Sequence, residues 1–89
     1  MGGTPDGRSW YQLLGLADFA PTNDVRAAYL HLARSLHPDL HVEASPAEQR
    51  IAERRMREVN AAWAVLGHEE SRRVYDAGLR TQHSYGATF

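Results

Sequence analysis

The 89-residue sequence contains no cysteine and no lysine, and it has no long hydrophobic run. Without cysteine there can be no disulfide, thiolate zinc site or thiol nucleophile, which fits a reducing compartment, and we expect a cytoplasmic protein. The apolar runs are too short for a membrane-spanning helix. The first six residues have neither the basic nor the apolar region of an export signal, so we expect no membrane association.

The chain also lacks an excess of positive charge. Ten cationic residues, all Arg, stand against eleven acidic residues and give a formal net charge of -1. A nucleic-acid-binding domain usually carries a strong positive excess, so nucleic acid is not expected as a partner. Arg72 and Arg73 are best explained as helix-surface residues with an internal contact to Asp76, although a separate nucleic-acid role is the alternative.

The length is that of one small domain, whose apolar share of 43% supports only a modest core. No stretch alternates polar and apolar residues with a period of two, so we expect no sheet. The spacing of the apolar residues instead predicts an all-α fold of four helices. Residues 1–8 are predicted to be a disordered lead-in and residues 9–78 the folded domain.

Two short helices are predicted near the ends of the domain. Ser9 is a candidate N-cap for a turn of helix that begins at Trp10, and Gly15 ends it. The last helix is expected from about Glu69 to Ala77, with Gly78 as its end. Residues 79–89 show no periodicity and are predicted to be a flexible tail.

Two long helices are predicted between them. Thr22 is a candidate N-cap for a helix that runs to Leu36. Ser45 and Pro46, with Glu48 three residues after the serine, are typical of a helix start, and apolar residues then recur at helical spacing to Leu66. The two helices are long enough to pack side by side.

The stretch Leu36-His37-Pro38-Asp39-Leu40 separates these long helices. Pro38 has no backbone N–H and biases His37 away from helical geometry, so the second helix must stop there. Because the next helix starts a few residues later, the two should fold back as an antiparallel hairpin. His37, Pro38 and Asp39 would then lie at an exposed bend, where a partner could reach them.

These features together resemble the J-domain family, the DnaJ-like co-chaperone module. The resemblance covers Trp10 to about Gly78. The matching segments are Trp10-Tyr11-Gln12-Leu13-Leu14-Gly15-Leu16, Val25-Arg26-x-Ala28-Tyr29-x-x-Leu32-Ala33, His37-Pro38-Asp39, Val59-Asn60-x-Ala62-Trp63-x-Val65-Leu66 and Arg72-Arg73-x-Tyr75-Asp76.

The resemblance implies a module that is not itself an enzyme and needs no cofactor or metal. It would act as a monomer that docks on a heat-shock protein 70 family chaperone in its ATP state and accelerates ATP hydrolysis. Asp39 would engage an arginine of the chaperone, and His37 and Pro38 would fix the loop that presents it. The flanking docking surface would comprise Arg26, Tyr29, Leu30, His31, Arg34 and Leu40, with Met56 and Arg57 from the third helix.

One departure from the family pattern concerns the charge of the second helix. Positions that are usually basic read Ala27, Leu30, His31 and Ser35, and Leu40 follows the tripeptide. Electrostatic attraction mainly sets the encounter rate and the salt dependence of binding. We therefore expect weaker and less salt-sensitive docking than in a basic J-domain, with apolar contacts from Leu30 and Leu40.

Other interpretations of these residues stay open. His37 with His41, and His31 nearby, could suggest a metal site, although solvated histidines are the simpler explanation. A J-like interaction scaffold that does not stimulate ATP hydrolysis is the competing function. An enzyme is disfavoured, because no nucleophile, second carboxylate or Gly-rich phosphate loop accompanies the tripeptide. The chain could be a free-standing J-domain or part of a longer co-chaperone.

Overall fold

The computed structural model describes residues 7–37 and 42–88, with side chains as far as residue 82, and over those ranges it is helical without strands. The helices are α1 (Trp10–Leu13), α2 (Thr22–Ser35), α3 (Pro46–Leu66) and α4 (Glu69–Thr88). The all-α prediction with four helices is confirmed. Residues 1–6, 38–41 and 89 lie outside the described part of the chain. Most of the predicted disordered lead-in, residues 1–8, therefore falls outside it, and only residues 7 and 8 are described.

The first helix begins as its sequence predicts. The Ser9 hydroxyl accepts a hydrogen bond from the backbone N–H of Gln12, and the Gln12 side chain accepts one from the backbone N–H of Ser9, both at 3.1 Å. This reciprocal pair is a capping box. Gly15 follows the helix with φ of 81°, a backbone conformation that costs glycine little. The single turn is thus closed at both ends by local interactions.

Helices α2 and α3 form the predicted antiparallel hairpin. Tyr29 contacts Asn60 and Trp63, whereas Leu36 lies with Ala52 and Met56 around a common groove. Residue numbers therefore rise along α2 as they fall along the facing part of α3. The hairpin places Leu36, just after the end of α2, beside the first half of α3.

Helix α3 starts and ends on residues that the sequence identifies. The Ser45 hydroxyl accepts from the backbone N–H of Glu48 at 3.2 Å, and Pro46 is the first helical residue, where its missing N–H costs nothing. At the other end, Gly67 lies under Trp63. A Cβ at position 67 would come within 2.6 Å of the Trp63 ring, so only glycine fits there without a shift.

The extent of α4 corrects the sequence prediction. The helix does not end at Gly78 but continues to Thr88, so residues 79–88 are not the expected loose tail and α4 is not a short flanking helix. A glycine inside a helix costs only ~1 kcal/mol. Leu79 is 8% exposed and packs in the core, and this burial offsets that cost. The packed unit therefore extends at least one residue beyond the predicted boundary at residue 78.

The start of α2 is a second correction. Thr22 is the first helical residue and not the N-cap; Pro21 occupies the cap position, and no side chain caps the helix there. The Thr22 hydroxyl instead accepts a hydrogen bond from Arg72 of α4 at 2.8 Å. A partner fifty residues away has therefore replaced the local bond that the sequence suggests.

The core lies where α1, α3 and α4 meet the first half of α2. Tyr11, Val25 and Leu66 are its largest fully buried side chains. The buried cluster consists of Tyr11, Leu14, Ala20, Val25, Val59, Ala62, Leu66 and Leu79. Since this cluster contacts one side of α2 only, the opposite side of that helix faces solvent.

Candidate docking surface on the second helix

The solvent-facing side of α2 carries a line of residues spaced four apart. Arg26, Leu30 and Arg34 are all exposed, and Leu30 keeps 43% of its surface accessible. At a rise of 1.5 Å per residue, the two arginines are about 12 Å apart along the helix axis, with the leucine between them. His31 is exposed beside this line. This side of α2 therefore presents one apolar side chain between two cationic ones.

Tyr29 occupies a different place from the other predicted α2 residues. It is half-buried, and its ring stacks on that of Trp63 with centroids 4.7 Å apart and an interplanar angle of 15°. Its hydroxyl donates to Asn60 Oδ1 at 3.2 Å. Tyr29 therefore joins α2 to α3, and only part of its surface is available to a partner.

Met56 and Arg57, which were predicted from the third helix, lie beside the end of α2. They line a groove of about 420 Å³ between the end of α2 and the first half of α3. Its apolar lining residues are Leu36, Val42, Ala52 and Met56, and its polar ones are Gln49, Glu53, Arg57 and Asn60. The antiparallel packing thus brings two α3 residues next to the segment that leads into the bend.

The structure describes the residues on both sides of the bend, up to His37 and from Val42 onwards. His37 is exposed directly after the end of α2, and its backbone N–H donates to the Arg34 carbonyl at 3.4 Å. On the other side, the Gln49 side-chain amide donates to the Ala44 carbonyl at 3.1 Å, which holds the returning chain against α3. Pro38, Asp39, Leu40 and His41 lie outside the described residues. Their predicted roles stay predictions.

The domain thus combines a helical hairpin, an exposed face of α2 and a groove between the end of α2 and α3. Comparison of the sequence with known proteins identifies its family. A family model described as "DnaJ domain" matches residues 9–76. The chain belongs to the DnaJ-domain family.

Curated relatives of this DnaJ domain come from bacteria and plants. Chaperone protein DnaJ of Mycoplasma genitalium is 38% identical over 69 residues, which are 78% of this chain and 18% of that protein. Chaperone protein DnaJ of Fusobacterium nucleatum is 36% identical over 69 residues, which are again 78% of this chain and 18% of that protein. DnaJ protein P58IPK homolog B of Oryza sativa is 39% identical over 71 residues, 80% of this chain and 14% of that protein. The chain thus spans less than a fifth of the length of these relatives.

A hydrogen-bonded network joins the two ends of the DnaJ domain. The Tyr11 hydroxyl donates to Asp76 at 2.6 Å and accepts from Arg72 Nε at 3.0 Å. The Tyr75 hydroxyl accepts from the backbone N–H of Trp10 at 3.0 Å, and Ser9 Oγ donates to Asp18. These bonds connect α1 and the segment after it to α4. The network fixes the base of the domain, at the end of α2 away from the bend.

Burial and the network change the ionisation of two tyrosines. Burial, together with the hydrogen bond to Asp76 and its charge, raises the pKa of Tyr11 to about 12. Burial also raises the pKa of Tyr75, and its contact with the Trp10 backbone opposes this effect. Both hydroxyls therefore stay protonated at neutral pH, and Tyr11 acts there as a hydrogen-bond donor to Asp76.

Sequence analysis predicted one contact of this network, between an arginine and Asp76 on α4, and did not predict the others. Arg72 Nε lies 3.6 Å from Asp76 Oδ2, one turn apart on α4, so the internal contact expected from the Arg-Arg-x-Tyr-Asp segment is present. The bonds of Arg72 to α1 and to the start of α2 carry no local sequence signal. Only an alignment of positions far apart in the chain could have suggested them.

The metal interpretation gains no support from the residues that the structure describes. Over 7–37 and 42–82 no three His, Asp or Glu side chains come together in a group that could hold a metal ion. His41, which that interpretation requires, lies outside these ranges.

Among the helices described, none is long and apolar enough to cross a membrane.

Proposed function

We propose that this DnaJ domain is a co-chaperone module that docks on a heat-shock protein 70 family chaperone in its ATP state and accelerates ATP hydrolysis. The observation that carries the proposal is the line of exposed residues along α2 that leads towards the bend. The exposed line Arg26, Leu30, Arg34 leads along α2 to His37, and the groove residues Met56 and Arg57 lie beside that end. The domain regulates hydrolysis in its partner and has no catalytic role of its own. It acts as a monomer, and its composition suits the cytoplasm.

Asp39 has the central role in this proposal. It follows His37 and Pro38 at the bend between the two long helices, where a carboxylate can pair with an arginine of the chaperone. Such a pair is charge-assisted and can be bidentate, so it gives both affinity and a defined orientation. Tyr29, His31 and Leu40 would complete the contact around it.

The α2 face favours a chaperone surface that is acidic with an apolar spot. Two arginines about 12 Å apart can pair with carboxylates, and Leu30 between them can bury its exposed side chain against an apolar group. This charge pattern is sparser than that of a uniformly basic helix. Binding should therefore depend more on shape and apolar contact than on long-range attraction.

A single-turnover ATPase assay on a purified bacterial heat-shock protein 70 tests the proposal. We expect the wild-type domain to accelerate hydrolysis and Asp39→Asn to abolish the acceleration, because the amide keeps the shape of the carboxylate but loses its charge. Glu70→Gln is the matched control: it removes one exposed acidic charge on α4, far from the bend, and should leave the acceleration unchanged.

A second candidate is an interaction scaffold that binds the chaperone or another protein without stimulating hydrolysis. The observation that favours it is the presence of only two cations along the exposed line of α2. Under this alternative the wild-type and Asp39→Asn domains would give equal, unstimulated rates. A binding measurement on the same two proteins would then show whether the chaperone is held at all.

A further inference from the structure

The start of α2 lacks the capping that helix termini usually have. Pro21 stands at the cap position without a side-chain hydrogen bond, although its carbonyl accepts from the N–H groups of Asp24 and Val25 at 3.0 and 3.1 Å. Uncapped first turns fray, because their N–H groups have no intrahelical partners. This first turn is therefore a place where a contact from another helix can add restraint, even one that does not pair with these N–H groups.

Arg72 of α4 supplies that contact. Its Nη1 donates to Thr22 Oγ1 at 2.8 Å, and its Nη2 donates to the Ala20 carbonyl. Its Nε donates to the Tyr11 hydroxyl at 3.0 Å, and the guanidinium carbon lies 5.5 Å from the centre of the Tyr11 ring. The planar guanidinium thus contacts α1, the segment before α2 and the first residue of α2 at once. A lysine could not make these bonds together.

The Arg72 guanidinium is itself held in place. Its side chain is 15% exposed, and Asp76 lies 3.6 Å from its Nε on the same helix. Tyr11 is fully buried and donates its hydroxyl proton to Asp76, which leaves its oxygen to accept from Arg72. Tyr11 and Asp76 therefore orient the Arg72 guanidinium towards Thr22.

We propose that Arg72 is a positioning residue for docking: through Thr22 it fixes the first turn of α2 and thereby Arg26. Thr22 and Arg26 are four residues apart, so they lie on the same side of the helix, one turn from each other. Arg26 is the first member of the exposed line that continues to Leu30 and Arg34. This inference rests on the proposed function, because it concerns docking through that line.

The test uses Thr22→Val, which removes the hydroxyl while nearly preserving the shape, and Thr22→Ser as a control that keeps the hydroxyl. Thr22→Val should raise the concentration of domain needed for half-maximal ATPase stimulation about fivefold, equivalent to ~1 kcal/mol. The maximal stimulation should stay unchanged, since Asp39 is not affected. Thr22→Ser should behave as wild type.

A double-mutant cycle with Arg26→Ala separates positioning from general destabilisation. If Arg72 acts through Arg26, Thr22→Val should have no further effect on half-maximal stimulation once Arg26 is removed. An equal effect of Thr22→Val in both backgrounds would overturn the inference. A loss of maximal stimulation without a change in the half-maximal concentration would also overturn it.

Hydrogen exchange provides a readout that needs no chaperone. In Thr22→Val, amides of residues 24–26 should exchange faster, while those of residues 30–35 keep their wild-type protection. Unchanged exchange in the first turn would overturn the inference whatever the ATPase result. The proposed function fails separately, if the wild-type domain itself does not stimulate hydrolysis or Asp39→Asn stimulates as well as wild type.

Discussion

Tyr29 and Trp63 stack with their ring centroids 4.7 Å apart, and this pair is the main aromatic contact between α2 and α3. The Tyr29 hydroxyl extends the contact to Asn60, one turn earlier on α3. Because α2 carries the proposed docking line on its other side, the stack sets how that line is presented. A residue predicted to touch the partner thus has a clear structural function in holding the helical hairpin together.

We expect Tyr29→Ala to lower the free energy of unfolding by about 2 kcal/mol, because it removes the stacked ring and leaves a gap beside Trp63. Tyr29→Phe keeps the ring and loses only an exposed hydrogen bond, so its effect should stay within about 1 kcal/mol. Urea unfolding followed by circular dichroism measures both. Equal losses in the two variants would show that the hydroxyl, and not the stack, holds the helices together.

Much of the fold could be predicted because the decisive interactions are local. The Ser9 and Ser45 caps each involve a residue three positions away, and Gly67 ends α3 where the apolar spacing stops. Such signals can be read from a short window of sequence. The exposed line of α2 follows from the same helical spacing, since one side of the helix is apolar and the other is not.

The features that sequence reasoning missed depend on distant partners. Thr22 has the chemistry of an N-cap, but its hydroxyl binds Arg72, which the fold brings from α4. Gly78 has the chemistry of a helix end, but the burial of Leu79 carries the helix through it. Tertiary contacts overrode local preference in both cases. The approach of Met56 and Arg57 to Leu36, at the end of α2, likewise depends on the register of the helical hairpin.

The two glycines at the ends of predicted helices should respond oppositely to alanine. Gly67→Ala should destabilise the domain by about 1–3 kcal/mol, because the new methyl group would lie 2.6 Å from both the Trp63 ring and its carbonyl oxygen. Gly78→Ala is the matched control. Nothing lies within 4 Å of its added Cβ, and it sits inside α4, so it should stabilise by about 0.5–1 kcal/mol.

Thermal and urea unfolding of both alanine variants test this contrast. Destabilisation by Gly78→Ala would indicate that the glycine serves as a helix end and that α4 does not continue through it in solution. A neutral Gly67→Ala would mean that Trp63 can move aside without cost, so that its ring does not define the end of α3.

The raised pKa of Tyr11 predicts a loss of stability at alkaline pH. Because its pKa in the folded state is about 12, above the ordinary value of 10.0, the protonated hydroxyl favours the folded state. This contribution is fully present below pH 10 and is lost as the pH rises through 12. Its size is at most about 2–3 kcal/mol, by conversion of the pKa change.

Comparison with Tyr11→Phe isolates this effect, because phenylalanine cannot ionise and keeps the buried ring. The difference in unfolding free energy between wild type and Tyr11→Phe should be constant from pH 8 to 10 and should shrink between pH 10 and 12. A difference that stays constant to pH 12 would show that Tyr11 ionises equally in the folded and unfolded states. Tyr75 is present in both proteins, so its own raised pKa cancels to first order.

The sparse charge of the α2 line predicts a shallow salt dependence of docking. With Leu30 between Arg26 and Arg34, affinity for the chaperone should fall only a few-fold between low and high salt, because screening acts on few exposed pairs. Leu30→Lys should steepen this dependence by adding a cation to the line. Leu30→Ala should weaken binding about threefold at every salt concentration, because it removes an apolar contact that salt does not screen.

Ile51→Ala is the control for these measurements, since Ile51 on α3 is exposed to a similar extent, 46% against 43% for Leu30, but lies outside the proposed surface. It should leave affinity and salt dependence unchanged. A steep loss of wild-type affinity with salt would contradict the prediction, because it would mean that charge and not apolar contact dominates docking. Equal weakening by Ile51→Ala and Leu30→Ala would place the contact somewhere other than the exposed line of α2.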